Sequence, residues 1–137
     1  MPSEIEVLNA SKVLEMLNNI EGVSFEQVRE DIFTVTEYDS DMGLTAVVDV
    51  EEETVVCMVE ICELRECEGD RTELLSMLLK ANNDAVHGAF AITPDNKIII
   101  KDVLEIQNLD QNELEASLGN ILGLALTNIE KIAGAVN

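Results

Sequence analysis

Two short acidic signals divide this chain before anything else is considered. "DRTE" sets Glu73 three residues after Asp70, and "DQNE" sets Glu113 three residues after Asp110; each precedes an apolar run. An Asp in the cap position accepts from backbone N–H groups that a helix start leaves unpaired, and the acid three residues on returns the bond. One helix therefore opens at Asp70 and fades at "NND", and a longer one runs from Asp110 to about Ala135. The segments before and between them follow other rules.

Glu6 to Ile20 carries Val7, Ala10, Val13, Leu14, Leu17 and Ile20 at helical spacing, with Glu21-Gly22 as the stop and the glycine as a left-handed cap. Three strand segments come next: Phe33–Tyr38, Leu44–Val50 and Val55–Leu64. The turns between them, "DSDMG" and "EEET", are too short for crossovers, so the strands pair antiparallel. Val23–Val28 is a further leading-strand candidate outside these three. After the second helix, "GAFAI" turns at "TPDNK" and returns as "IIIKDVLEI", with Pro94 presetting φ. The order α-β-β-β-α-β-β-α predicts an α+β fold: an antiparallel five-stranded sheet with helices, in one domain spanning residues 1–137.

Composition narrows the function classes. Apolar residues make up 47% of 137, enough for a core, and aromatics only 3% with no Trp, so that core is aliphatic. The shortage of aromatics also removes the stacking platforms that bind bases. A formal charge of −20, from 28 acidic and 8 basic residues, repels phosphate backbones and anionic lipid. Nucleic acid is thus not an expected partner; a basic or amphipathic protein is. The start "MPSEIEVLNASKVLEML" lacks a basic leader region, and three cysteines make no pairing framework, so the expected location is cytoplasmic.

The closing stretch "LGNILGLALTNIEKIAGAVN" is apolar enough to raise a membrane anchor. Asn120, Thr127, Asn128, Glu130 and Lys131 interrupt it, so no insertion is expected. On a helical wheel Leu114, Leu118, Ile121, Leu122, Ala125, Ile129, Ile132 and Val136 fall in one arc able to cover a sheet. Ala116, Gly119, Gly123 and Gly134 fall near the opposite side, with Thr127 at its edge. Each internal glycine costs about 1 kcal/mol of helix propensity relative to Ala. Tolerated glycines or a bend account for this at no gain; a backbone approaching that face turns it into close packing. The candidate interface is accordingly Ala116, Gly119, Gly123, Thr127 and Gly134, and the expected assembly is a homodimer or a complex with a partner helix.

Chemistry is sparse. His87 is the sole histidine and has no base or nucleophile beside it in sequence. Cys57, Cys62 and Cys67 stand five residues apart, outside zinc-ligand spacing, and an odd separation within one strand puts the first two on opposite faces. "DSDMG" begins like a calcium loop, but position twelve is Val50 instead of Glu. The acids Asp49 and Glu51–Glu53 read as a solvated hairpin tip. No phosphate loop, dinucleotide fingerprint or nucleophile elbow occurs. No catalytic residue, cofactor or metal is assigned.

The element order resembles the class I type III secretion chaperone fold, shared by YbjN-like proteins. More closely, "IEGVSFEQVREDIFTVT", "LLKANNDAVHGAFAI" and "LGNILGLALTNIEKI" resemble the uncharacterised bacterial YjfI-type family. The chaperone-like fold implies small, acidic, usually dimeric proteins, and the YjfI-type resemblance carries no catalytic residues. It also implies a phage-shock-type coiled-coil protein as a possible membrane-stress partner. The function expected is a non-catalytic, chaperone- or adaptor-like protein-binding module. The alternative is a small-molecule or metal-responsive sensor, and an enzyme would require His87 in a deep pocket beside a carboxylate.

Overall fold

The computed structural model describes residues 1–38, 43–66 and 70–136, side chains at 133, 135 and 136 excepted. Its elements are α1 (Glu4–Asn18), β1 (Val23–Arg29), β2 (Ile32–Glu37), β3 (Thr45–Val50), β4 (Thr54–Glu63), α2 (Arg71–Asp84), β5 (Ala89–Ile92), β6 (Lys97–Glu105) and α3 (Gln111–Val136). A 3-10 turn over Leu64–Glu66 follows β4. The strands form one antiparallel sheet in the order β1-β2-β3-β4-β6-β5.

Alternation sets which face each strand buries. Phe33 and Val35 of β2, Ala46, Val48 and Val50 of β3, and Val55, Cys57 and Val59 of β4 are buried in turn. Register aligns them, with Phe33 opposite Val48 and Val48 opposite Cys57. They share one core with Ala10, Val13 and Leu17 of α1, Leu74 and Leu78 of α2, and the inner stripe of α3. All three helices therefore lie on one face of the sheet.

The sheet has six strands, so the expectation of five is corrected. The added strand is β1, the weak Val23–Val28 candidate. Only its first half alternates: Val23 and Phe25 are half-buried, and Glu26 to Arg29 are exposed. Tertiary contact makes it a strand. Its residues pair along β2, and Phe25 meets Phe33 edge-to-face with ring centroids 6.4 Å apart.

Several local expectations also shift. α1 starts before Glu6 because Ser3 accepts from the Glu6 backbone while the Glu6 carboxylate accepts from the Ser3 backbone, a complete capping box. It ends at Asn18, so Gly22 (φ +82°) opens β1 rather than capping the helix. The Asp70 side chain accepts from the Thr72 and Glu73 backbones, and Asp110 and Glu113 bond reciprocally. Of the four leucines on α2, Leu74 and Leu78 are buried while Leu79 is 70% exposed. Asp39–Met42 of the "DSDMG" turn, and Cys67, lie outside the described residues.

Two local details shape the β4–β6–β5 side of the sheet. Asn82, near the end of α2, accepts from the Phe90 backbone N–H at 2.6 Å and donates to the Phe90 carbonyl at 3.2 Å. An amide side chain thus stands in for a neighbouring strand, clipping α2 to β5 and satisfying that part of the exposed sheet edge. In β4, register shifts between Glu60 and Cys62, so Cys62 pairs with Ile98 as Val59 pairs with Ile100 and Cys57 with Asp102. Directly opposed residues share a face, so this bulge puts Cys57 and Cys62 on the same face, against the expectation from parity.

Candidate functional site: the groove between α2 and α3

The inner stripe of α3 largely follows the helical wheel. Leu114, Leu118, Ile121, Leu122, Ala125 and Ile132 are buried, while Ile129 is only half-buried. Two polar residues join the stripe, Ser117 and Asn128, both buried. The small-residue side faces elsewhere: Gly119, Thr127 and Gly134 are exposed, and Ala116 and Gly123 half-buried. A Cβ added at Gly119, Gly123 or Gly134 would meet nothing within 4 Å. No described part of the chain packs against these glycines.

What lies there is a groove of about 1040 Å³ between α2 and α3. Ser76, Met77, Lys80 and Ala81 line it from α2; Gly119, Gly123, Leu124 and Thr127 line it from α3. On each helix these residues recur at i+4, the spacing of a surface ridge, so the walls are two ridges with a furrow between. Of the five interface residues expected from sequence, the groove brings together Gly119, Gly123 and Thr127. Ala116 and Gly134 stand outside its lining.

Polar groups on the α3 wall are satisfied from within. Asn120 donates to the Ala116 carbonyl, Thr127 Oγ1 to the Gly123 carbonyl at 2.8 Å, and Asn128 Nδ2 to the Leu124 carbonyl at 2.9 Å. A partner covering this wall would leave no donor of Thr127 unpaired, which removes the usual penalty for burying a hydroxyl. The charge is also unusual for this chain. Asp70, Glu73 and Asp84 line the groove together with Lys80, Lys131 and His87, near balance in a protein with 28 acids and 8 bases.

His87 lies at one end, on the loop joining α2 to β5. Its Nδ1 is 4.0 Å from Asp102 Oδ2, which also accepts from Ser117 Oγ at 2.8 Å. The histidine stands beside a carboxylate, but in an open groove with 41% of its side chain exposed, and not in the deep pocket that an enzyme would require. The order of groups differs from that of a nucleophile triad, in which an imidazole stands between carboxylate and hydroxyl. Here the carboxylate is central, and the Ser117 hydroxyl is buried beneath α3 with Asp102 as its partner. The geometry suits a tether joining the 85–88 loop, β6 and α3. Gly88 makes it possible: its φ is +79°, and an added Cβ would stand 2.8 Å from Ile121 Cγ2.

Asp102 and Ser117 were not singled out from sequence. A signal existed, since Ser117 borders the apolar arc of α3, three residues from Leu114, and a buried polar residue there needs a partner across the core. Beneath them Cys57 is fully buried, and loss of hydration pushes its thiol up to about 12 despite the Ser117 hydroxyl. Among the described residues, no three His, Cys, Asp or Glu side chains converge as a metal site, and no helix is long and apolar enough to cross a membrane.

A helix-covered antiparallel sheet in this order is a recurring architecture, and the sequence itself carries its mark. The CesT_Tir_1 family model, type III secretion chaperone-like, matches residues 7–132. The chain belongs to this family. Membership in CesT_Tir_1 agrees with the α+β architecture read from element order, and with a chaperone-like, protein-binding character. A crystal structure of an uncharacterised protein from Methanothermobacter thermautotrophicus is similar in fold, with TM-score 0.65 and 14% identity over 94% of this chain and 99% of that one. No curated protein matches the chain.

Proposed function

We propose that this CesT_Tir_1 protein is a cytoplasmic, chaperone- or adaptor-like binding module that works as a homodimer, with the α2–α3 groove as its contact surface. One observation carries the proposal: Gly119 and Gly123 sit mid-helix at a propensity cost, and both face open space in a groove that no described residue fills. Family membership supports it, since such proteins bind proteins and often form dimers. The near-balanced charge of the groove supports it too, because two copies each carrying −20 meet with least repulsion where acids and bases are close to equal in number. The half-buried Leu75 and exposed Leu79 form an apolar edge on α2 suited to entering a neighbouring copy's groove. The YjfI-type resemblance adds a phage-shock-type coiled-coil protein as the specific partner to try.

Sedimentation of Gly119→Leu and Gly123→Leu tests this. Since a Cβ at either position is unopposed, both variants should fold as the parent does while shifting from dimer to monomer. Unchanged association in well-folded variants would remove this surface from the interface.

A further inference from the structure

The groove between α2 and α3 holds one acid more than it holds permanent cations: Asp70, Glu73 and Asp84 stand against Lys80 and Lys131. All five of these residues are exposed, so water and salt screen their charges while the surface is free. His87, the sole histidine, is the remaining titratable residue of the described lining, and it alone among them is half-buried. An imidazole gains its charge between about pH 8 and about pH 5, where no other unperturbed side chain does. Protonation of His87 therefore takes the groove from one surplus negative charge to balance.

The surroundings fix the imidazole where that charge is felt. Gly88, next in sequence, has φ +79° and leaves no room for a Cβ beside Ile121, so the loop is held against α3. From β6, Asp102 Oδ2 stands 4.0 Å from His87 Nδ1 while accepting from Ser117 Oγ of α3, so a protonated ring meets a carboxylate already held in place. From α2, Asp84, Lys80 and Glu73 line the groove with it, as does Asp70 at the helix cap; from α3, Lys131 does so. β5 carries no titratable group, and Cys57 of β4, opposite Asp102, remains a neutral thiol pushed up to about 12. Two copies meeting at this surface exclude the screening water, and a surplus negative charge on each then opposes the other.

We propose that His87 is a proton-operated switch on this surface: its protonated form tightens the association of two copies, and its neutral form loosens it. The inference rests on the groove being the homodimer contact. Its sign follows from linkage, since an assembly that favours the protonated ring gains stability as pH falls. General neutralisation of the acids belongs to a lower range, because unperturbed carboxylates titrate near about 4. Asp49, held above its ordinary value chiefly by burial, is outside the groove lining.

Sedimentation equilibrium of the full chain at about pH 7.5 and about pH 5.5 tests it. The expected result is a dissociation constant about tenfold lower at the acid pH, an ordinary strength for coupling between two sites. His87→Gln should keep the weaker constant at both pH values and His87→Lys the tighter one, each with the parent's circular dichroism spectrum. A parent indifferent to pH, or a His87→Gln variant that keeps the parent's response, would overturn the switch. Should His87→Gln fold poorly, His87→Lys decides alone, and a pH response equal to the parent's would overturn it as well. Gly123→Leu separates this inference from the reading beneath it. A Gly123→Leu monomer at both pH values leaves the groove as the contact whatever His87 does, whereas a dimer with the parent's pH response would move the contact elsewhere and take the switch with it.

Discussion

Gly88 and Ile121 approach so closely that a single methyl group would not fit between them: a Cβ on Gly88 would lie 2.8 Å from the Ile121 side chain, which is fully buried. Gly88→Ala therefore combines a left-handed backbone, worth about 1–2 kcal/mol against a non-glycine residue, with overpacking of about 1–3 kcal/mol. Urea unfolding should show a loss of about 2–5 kcal/mol. An alanine variant within 0.5 kcal/mol of the parent, roughly the scatter of a neutral surface change, would mean that the loop relaxes freely.

Cys57 should be chemically silent in the folded protein. Its thiol is fully buried and pushed up to about 12, so the reactive thiolate is scarce at neutral pH. Peptide mapping after iodoacetamide at about pH 8 should find Cys57 unmodified natively and fully alkylated in guanidinium chloride. Prompt native alkylation would show that the sheet and α3 separate readily.

Asp49 contributes to pH dependence with a definite sign. Its folded carboxyl lies above the ordinary 3.8, chiefly through burial, so the folded state holds this proton more tightly than the unfolded chain. The charged form is penalised at neutral pH, and the penalty is relieved as pH falls through the raised value and past 3.8. Asp49→Asn should raise the melting temperature at neutral pH, with the gain shrinking in acid. A gain independent of pH would assign the effect to something other than this ionisation.

Much of the fold was legible because its signals are local. The Asp110–Glu113 exchange, the alternation in β3 and β4, and the Leu114-to-Ala125 stripe each depend on residues within one or two turns or strand repeats. Ser3 and Glu6 formed an equally local signal that the expected helix start at Glu6 passed over. The groove was legible by half. Glycine spacing pointed to the α3 wall, but α2 as the facing wall follows from helix placement on the sheet, to which the Asn82–Phe90 clip contributes across eight residues.

By itself, then, the sequence determined where helices begin, which stripes must be buried, that the core is aliphatic, and that the charge disfavours phosphate-bearing partners. Tertiary structure alone decided the sixth strand, since β1 is held by Phe33 and the β2 ladder more than by its own pattern. It also decided that a bulge turns Cys62 to the face of Cys57, and that His87, Asp102 and Ser117 meet. The reason is common to all three: each depends on how separate segments pair or pack, which the local periodicity of any one of them leaves open.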